Sequence, residues 1–264
     1  MTTYTVSIDE PGVDAVVHRM VLASLPNSYR LVDGAADVAV VSAHDPEAVA
    51  RAIALAPKAV VVDRPGRLSE VEVVAMQDLA RRHDCLLVPS PRYAPRTGAV
   101  HELIDADEIG LTESTITSSE PHRSSFAEQL AVVRNVLGAV SSARMLDRSP
   151  SHFIVQVSIA ERRSHILLNG FVTVNAIEQV SLRAVGVERR LSIEIDGGPL
   201  ARPARIRVHD AAGDHGPWPR YEHALRLTLA KVHDALTNSR GAAGLRYTWT
   251  DLQHDVGLAD LVAT

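Results

Sequence analysis

The chain has 264 residues, 46% of them hydrophobic and 22% charged, as in ordinary soluble globular proteins. A formal net charge of −5 gives no basic surface for nucleic acid, and the apolar runs are too short to cross a bilayer. One cysteine excludes a disulfide framework and a multi-thiolate metal site. No charged-then-apolar leader opens the sequence. We therefore expect a cytoplasmic protein of two domains that binds neither nucleic acid nor membrane.

Short apolar strands alternate with amphipathic helices in the first part of the chain. The stretches DVAVVS (37–42) and AVVVD (59–63) are almost wholly apolar, as in parallel strands buried on both faces. Ser69 has the position of a helix N-cap, with Glu72 as its capping-box partner. This alternation predicts right-handed crossovers and an α/β fold, with a truncated Rossmann-like parallel sheet over residues 1–95.

The second part of the chain has a different pattern. Apolar and polar residues alternate over 152–161 and again over 190–196, as in half-buried antiparallel strands. Helical spacing of apolar residues predicts helices over 125–138 and 221–236. We therefore predict an α+β domain over residues 96–264, built on an open, mostly antiparallel sheet, with C-terminal helices that pack back on the first domain.

Four segments occur in a characteristic order: DVAVVSA (37–43), AIALAPKAVVVDRP (52–65), LARRHDCLLVPSPRYAP (79–95) and HELIDADEIG (101–110). Together they resemble the Gfo/Idh/MocA oxidoreductases, which have a Rossmann domain followed by an open-sheet substrate domain. The family's Arg-x-x-Pro segment and the stretch that leads into its second domain are matched by Arg92, Pro95, Glu102, Leu103, Ile104 and Gly110. The resemblance covers residues 37–264 and includes the family's closing helices.

The resemblance implies an NAD(P) site, but the residues that would build it differ. The family's Gly-x-Gly-x-x-Gly turn, which binds the pyrophosphate, is replaced by a turn in which Gly12 stands alone after Asp9 and Glu10. Two carboxylates there have the wrong charge for a phosphate. Asp33 is either the acid that binds the ribose hydroxyls or a turn residue. We therefore predict that no cofactor is used, with Gly12 and Asp33 as the cofactor-binding residues if NAD(P) binds.

The catalytic residues that the resemblance implies are also replaced. The family's Glu-Lys-Pro motif becomes Asp63, Arg64 and Pro65, and an arginine can orient an anion but cannot transfer a proton. The family's histidine and second aspartate positions hold Glu128 and Ala131. Glu128 is either a general base, if burial raises its pKa, or a solvated residue on a helix surface. Arg64 either anchors a ligand or forms a salt bridge with Asp63.

Four residues are predicted to line a ligand pocket: His44, Asp63, Arg92 and Tyr93. His44 and Asp63 follow or end predicted parallel strands, where α/β sites form. The alternative for His44 is an exposed histidine beside a helix-capping Asp45. Tyr93 lies where the family's domain junction passes its substrate pocket, and Arg92 belongs to the Arg-x-x-Pro segment beside it. The twelve histidines show no metal-ligand spacing, so no metal site is predicted.

Three functions are compatible with these residues. The first is a shortened, degenerate relative of the family that has lost NAD(P) hydride transfer. It would serve specialised metabolism as a small-molecule-binding protein, an accessory subunit or a cofactor-free enzyme. The second is an NAD(P)-dependent oxidoreductase on a sugar-, cyclitol- or imine-type substrate. The third is a structural partner of an active homologue. In each case we expect a homo-oligomer, or a complex with a homologous subunit, formed through the open sheet.

Overall fold

The computed structural model describes residues 2–8, 13–98, 100–103, 109–160, 165–174, 177–198, 202–219, 221–238 and 247–263. The chain divides into two compact units, Met1–Pro95 with His223–His254, and Arg96–Glu222 with Asp255–Thr264. Within the described ranges, no helix combines the length and the apolar character needed to span a membrane.

The first unit contains a five-stranded parallel sheet. Its strands are β1 (Tyr4–Ile8), β2 (Tyr29–Leu31), β3 (Val38–Ser42), β4 (Ala59–Asp63) and β5 (Leu86–Ser90). Its first helices are α1 (Val13–Ala23), α2 (Pro46–Ala54) and α3 (Glu70–Arg82). Every residue of β3 and β4 is buried, which explains why both strands are apolar along their whole length.

The capping box predicted at the start of α3 is present. The Ser69 amide donates a 2.7 Å hydrogen bond to Oε2 of Glu72, and Oγ of Ser69 accepts one of 3.3 Å from the Glu72 amide. Two amides at this helix start are thereby satisfied, so local sequence alone determines where α3 begins.

The order of the strands is β2-β1-β3-β4-β5, which places a switch point between β1 and β3. The chain passes from β2 directly to β3 through residues 32–37, with no helix between them. In open α/β sheets, ligands bind outside the carboxyl ends of the strands at such a switch point. A ligand site is therefore expected among the residues that follow β1, β3 and β4.

The second unit contains an eight-stranded sheet in the order β13-β12-β11-β10-β6-β9-β8-β7. Its strands are β6 (Ile109–Ser118), β7 (Val140–Arg148), β8 (His152–Ile159), β9 (His165–Val172), β10 (Gln179–Gly186), β11 (Arg190–Asp196), β12 (Arg205–Asp210) and β13 (Gly213–His215). Among the described strands, β6 and β9 pair in parallel and the other pairs are antiparallel. The fold class predicted from the sequence, a Rossmann-like sheet followed by an α+β part, is confirmed.

Helix α4 (His122–Leu137) packs on one face of this sheet. The rings of Phe126 on α4 and Phe153 on β8 meet edge to face with centroids 5.5 Å apart. Exposed apolar side chains such as Leu111, Phe171 and Val185 occur on β6, β9 and β10. In β8 and β11, buried residues alternate with less buried ones, because one face of the sheet packs against a core and the other does not.

Two further helices follow the second sheet, α5 (Ala224–Thr237) and α6 (Trp249–Ala259). Helix α5 belongs to the first unit, where the hydroxyl of Tyr29 donates a 2.8 Å hydrogen bond to the carbonyl of Leu229. Leu225, Leu229 and Val232 are wholly buried in the core under the parallel sheet. The first sheet therefore obtains part of its covering layer from residues far along the chain.

Candidate functional site

Charged side chains gather at the carboxyl edge of the parallel sheet, beside the switch point. Asp63, the last residue of β4, is buried, with Oδ2 3.2 Å from Nε2 of His18 on α1 and 3.9 Å from Nε of Arg64. On the neighbouring strand, Ser42 is the residue paired with Asp63. The carboxylate of Asp63 thus lies between the imidazole of His18 and the guanidinium of Arg64.

The backbone leaves β4 abruptly at Arg64. This residue has φ 51° and ψ 51°, in the left-handed region, and it precedes a 3-10 turn over Pro65–Arg67. Its amide donates a 3.3 Å hydrogen bond to the carbonyl of Ser90 at the end of β5. A left-handed conformation costs about 1–3 kcal/mol for a residue with a Cβ and is concentrated at functional sites. The turn places the side chains of Arg64 and Arg67 at the same edge of the sheet.

An imidazole lies between these two arginines. Nη1 of Arg67 contacts Nδ1 of His44, and Nη1 of Arg64 lies 3.4 Å from Nε2 of the same ring. His44 is exposed, whereas the Arg64 side chain retains 25% of its exposure. The next residue, Asp45, caps α2 by accepting a 2.9 Å hydrogen bond from the Glu47 amide. We call His44, Arg64 and Arg67 the cationic cluster.

Asp63 is ionised despite its burial. Burial alone would raise the pKa of its carboxyl, but the hydrogen bond from His18 and the positive charges of His18, Arg64 and His223 outweigh that effect. The net result holds the pKa of Asp63 below the ordinary value of an aspartate. At neutral pH, Asp63 therefore contributes a negative charge to this edge, beside the positive charges of Arg64 and Arg67.

The other residues predicted in the first unit lie in different surroundings. Tyr93 is buried with 1% of its surface exposed, and Arg92 is half-buried. Asp33 is exposed just beyond the end of β2 and makes no ion pair or hydrogen bond within the described part of the chain. Gly12, with Asp9 and Glu10, lies outside the described residues.

Glu128 and Ala131 lie on α4 in the second unit. Glu128 retains 8% of its exposure and Ala131 1%, so Glu128 is a buried carboxyl group rather than a solvated surface residue. Together with the buried Ser124, these residues have the spacing i, i+4 and i+7, which places them along one face of the helix. The structure thus brings His44, Asp63 and Arg64 together in the first unit, whereas Glu128 belongs to the second.

Three residues at the sheet edge were not predicted from the sequence. His18 is a single histidine in an apolar helix, and nothing in its neighbours indicates a partner 45 residues away. His223, whose charge acts on Asp63, lies still further along the chain. Of these three residues, Arg67 could have been predicted from the sequence. It follows Arg64 by three residues in a turn that begins with a proline, which places both side chains near the end of β4.

No protein-family model and no curated protein sequence matches the chain. Its fold, however, is similar to several solved structures. UDP-N-acetylglucosamine 3-dehydrogenase from Acidithiobacillus ferrooxidans matches 99% of this chain and 97% of its own length, with a TM-score of 0.73 at 11% identity. An oxidoreductase from Agrobacterium radiobacter, in complex with NAD+, L-tartaric acid and magnesium, matches 100% and 97%, with a TM-score of 0.72 at 13% identity.

The WlbA dehydrogenase from Bordetella pertussis, in complex with NADH and UDP-GlcNAcA, matches 99% of this chain and 96% of its own length, with a TM-score of 0.71 at 11% identity. The prediction that the chain uses no cofactor is wrong, because solved proteins that share its fold over 96–97% of their own length hold NAD+ or NADH. That prediction relied mainly on the turn in which Gly12 stands alone, whereas the similarity in fold extends over 99–100% of the chain. The chain has the fold of Gfo/Idh/MocA-type oxidoreductases.

Proposed function

We propose that the chain is an NAD(P)-dependent oxidoreductase that acts on a sugar-type substrate. The observation that carries this proposal is the carboxyl edge of the parallel sheet. An acidic residue stands beyond the end of β2, and the Asp63–Arg64 pair stands at the end of β4, on either side of the switch point. Sugar substrates are supported by two of the similar structures, the UDP-N-acetylglucosamine 3-dehydrogenase and the dehydrogenase in complex with UDP-GlcNAcA.

Two features of the first unit support a dinucleotide site. Helix α1 follows β1 at the switch point, where a helix N-terminus favours phosphate groups. Asp33 lies at the end of β2, the position from which an acid accepts hydrogen bonds from ribose hydroxyls. A carboxylate there repels a 2′-phosphate, so we expect NAD(H) to bind more tightly than NADP(H). When bound, the cofactor accepts or supplies a hydride at its nicotinamide ring.

Arg64 takes the place of a proton-transferring lysine and cannot perform its role. Its guanidinium stays protonated, so it binds and orients a polar or anionic group through fixed N–H donors. A different group must therefore move the proton that accompanies hydride transfer.

Nucleotide titration tests the proposal directly. We expect NADH to bind the full chain in calorimetry and to raise its melting temperature, since a ligand at a hundredfold excess over Kd stabilises the native state by about 2.7 kcal/mol. NADPH should bind more weakly than NADH.

Asp33→Asn should weaken NADH binding, and it should reduce the difference in affinity between NADH and NADPH. The matched control is Glu70→Gln, an exposed carboxylate on α3, which should bind like the original protein. No binding of either nucleotide at millimolar concentration would overturn the proposed function.

A further inference from the structure

The middle of the second sheet lies between strands β10 and β6, which are the fourth and fifth of its eight strands. Along both strands, buried residues alternate with more exposed ones, so each strand has an inner and an outer side. The outer residues of the two strands are direct partners in the sheet: Leu111 with Val185, Glu113 with Arg183, Thr115 with Ser181, and Thr117 with Gln179. We call these four pairs the central rows of the exposed face.

One of the central rows holds two opposite charges that form no ion pair with each other. Glu113 and Arg183 are both exposed, although they are partners across the two strands. The carboxylate of Glu113 accepts a 2.9 Å hydrogen bond from Nδ2 of Asn169 on β9, on the side away from β10. In the described part of the chain, Arg183 takes part in no ion pair and no side-chain hydrogen bond. Its guanidinium donors are therefore available to a carboxylate of another molecule.

The same face exposes apolar side chains and is large enough for a stable interface. Leu111 and Val185 expose 62% and 43% of their surfaces, and Phe171 on β9 exposes 50% of its own. Over the seven longer strands the face measures roughly 35 by 25 Å, which matches the roughly 800 Å² per partner of a standard protein interface. Exposed apolar side chains on such a face are typical of a surface that a partner covers.

A two-fold axis along the strands, midway between β6 and β10, turns this face onto itself. The rotation lays β10 of one copy across β6 of the other at the same level, with the two sheets about 10 Å apart. Glu113 of one copy then faces Arg183 of the other, at two places related by the symmetry. In the next row Leu111 faces Val185, and the remaining rows bring hydroxyl and amide groups together. An axis across the strands at this level would instead place Arg183 against Arg183, so charge favours the first arrangement.

We propose that the chain forms a two-fold dimer through this face, in which Arg183 of each copy binds Glu113 of the other and Leu111 packs against Val185. The partner is a second copy of the chain, because one surface supplies both charges of the ion pair and both halves of the apolar contact. The two ion pairs fix the register of one sheet on the other. The dimer is independent of the proposed function, since its residues belong to the second unit.

Mixing two charge-reversed variants tests the pairing between copies. Arg183→Glu gives a row with two acidic side chains and Glu113→Arg gives a row with two basic ones, so each variant repels its own copy. Light scattering on the full chain should show a dimer for the original protein and a dimer Kd at least about 10-fold higher for each variant. In native mass spectrometry of an equimolar mixture, with one variant isotope-labelled, the mixed dimer should predominate. Contacts within a single chain cannot produce that preference, because each chain is the same in both kinds of dimer.

The control is Arg81→Glu on α3, which should dimerise like the original protein. Where a reversed charge prevents folding, as judged by circular dichroism, Arg183→Gln and Glu113→Gln should each still weaken the dimer. A monomeric original protein overturns the proposal, and so does a dimer that none of these variants weakens. Mixed dimers and homodimers in statistical proportion would also overturn it, because the two charges would then not meet across the interface. A chain that stays monomeric alone and uses this face for a different protein overturns it as well.

Discussion

His18 on α1 and Asp63 at the end of β4 form a buried pair. Nε2 of His18 lies 3.2 Å from Oδ2 of Asp63, and the two side chains retain 2% and 12% of their exposure. Helix α1 follows β1, and Asp63 ends β4, with β3 between these two strands. The pair therefore fixes the position of α1 against the edge that carries Arg64, which links the stability of the sheet to the geometry of the site.

This pair makes stability depend on pH in a defined direction. The pKa of Asp63 is lower in the folded chain than in the unfolded chain, so its ionisation stabilises the fold above the unfolded pKa of about 3.9. That contribution disappears as the pH falls through the lower, folded-state pKa. In urea titrations, the unfolding free energies of the original protein and Asp63→Asn should differ most above about pH 5. A difference that stays constant down to pH 2 would contradict this account.

The buried pair of Arg134 and Asp255 should be needed for the stability of the second unit. Nε of Arg134 on α4 lies 3.2 Å from both carboxylate oxygens of Asp255 on α6, and the two side chains retain 9% and 0% of their exposure. Because Asp255→Ala leaves a buried guanidinium without its carboxylate, we expect a loss of about 3–5 kcal/mol in urea unfolding. Asp78→Ala, which breaks an exposed pair with Arg81, should cost less than about 1 kcal/mol.

Gly170 should tolerate no side chain, because Phe153 covers it from the neighbouring strand. A Cβ built on Gly170 would lie 2.1 Å from Cε1 of that ring, and the two residues are directly paired in the sheet. Gly170→Ala should therefore destabilise the fold by about 1–3 kcal/mol through overpacking. Gly110→Ala is the matched control on β6, where the nearest atom would lie at an ordinary 3.8 Å. Equal melting temperatures for the two variants would refute the prediction.

We expect the exposed face of the second sheet to mediate self-association. Leu111 on β6 and Val185 on β10 are cross-strand partners, and 62% and 43% of their surfaces are exposed. Burying such apolar pairs against a second copy gains free energy in proportion to the area covered. Light scattering should therefore give a dimer or a larger assembly, which Leu111→Glu weakens. Leu55→Glu, on the first unit, should have no such effect. A monomer at all concentrations would exclude this mode of assembly.

Much of the fold could be predicted from local patterns because burial leaves a periodic trace in the sequence. The apolar runs of β3 and β4 and the alternation in β8 and β11 indicate which faces meet a core. Strand β7 could not be predicted, because most of its residues are not buried and its sequence therefore shows no alternation of apolar and polar residues. Pairing with β8 alone makes it a strand.

The residues at the strand ends could be identified without a structure: an acid and an arginine at the end of β4, a histidine after β3 and an acid after β2. Which of these residues contact one another depends on the tertiary fold. Asp63 forms a hydrogen bond with His18, which lies 45 residues earlier in the chain. His44 lies between Arg64 and Arg67, which follow it by 20 and 23 residues. Such contacts form because parallel strands bring their carboxyl ends to one edge, and no local pattern records the order of those strands. The same reason applies to the cofactor prediction, because it relied on local sequence, whereas the fold shared with the NAD-bound structures is specified by pairing across the chain.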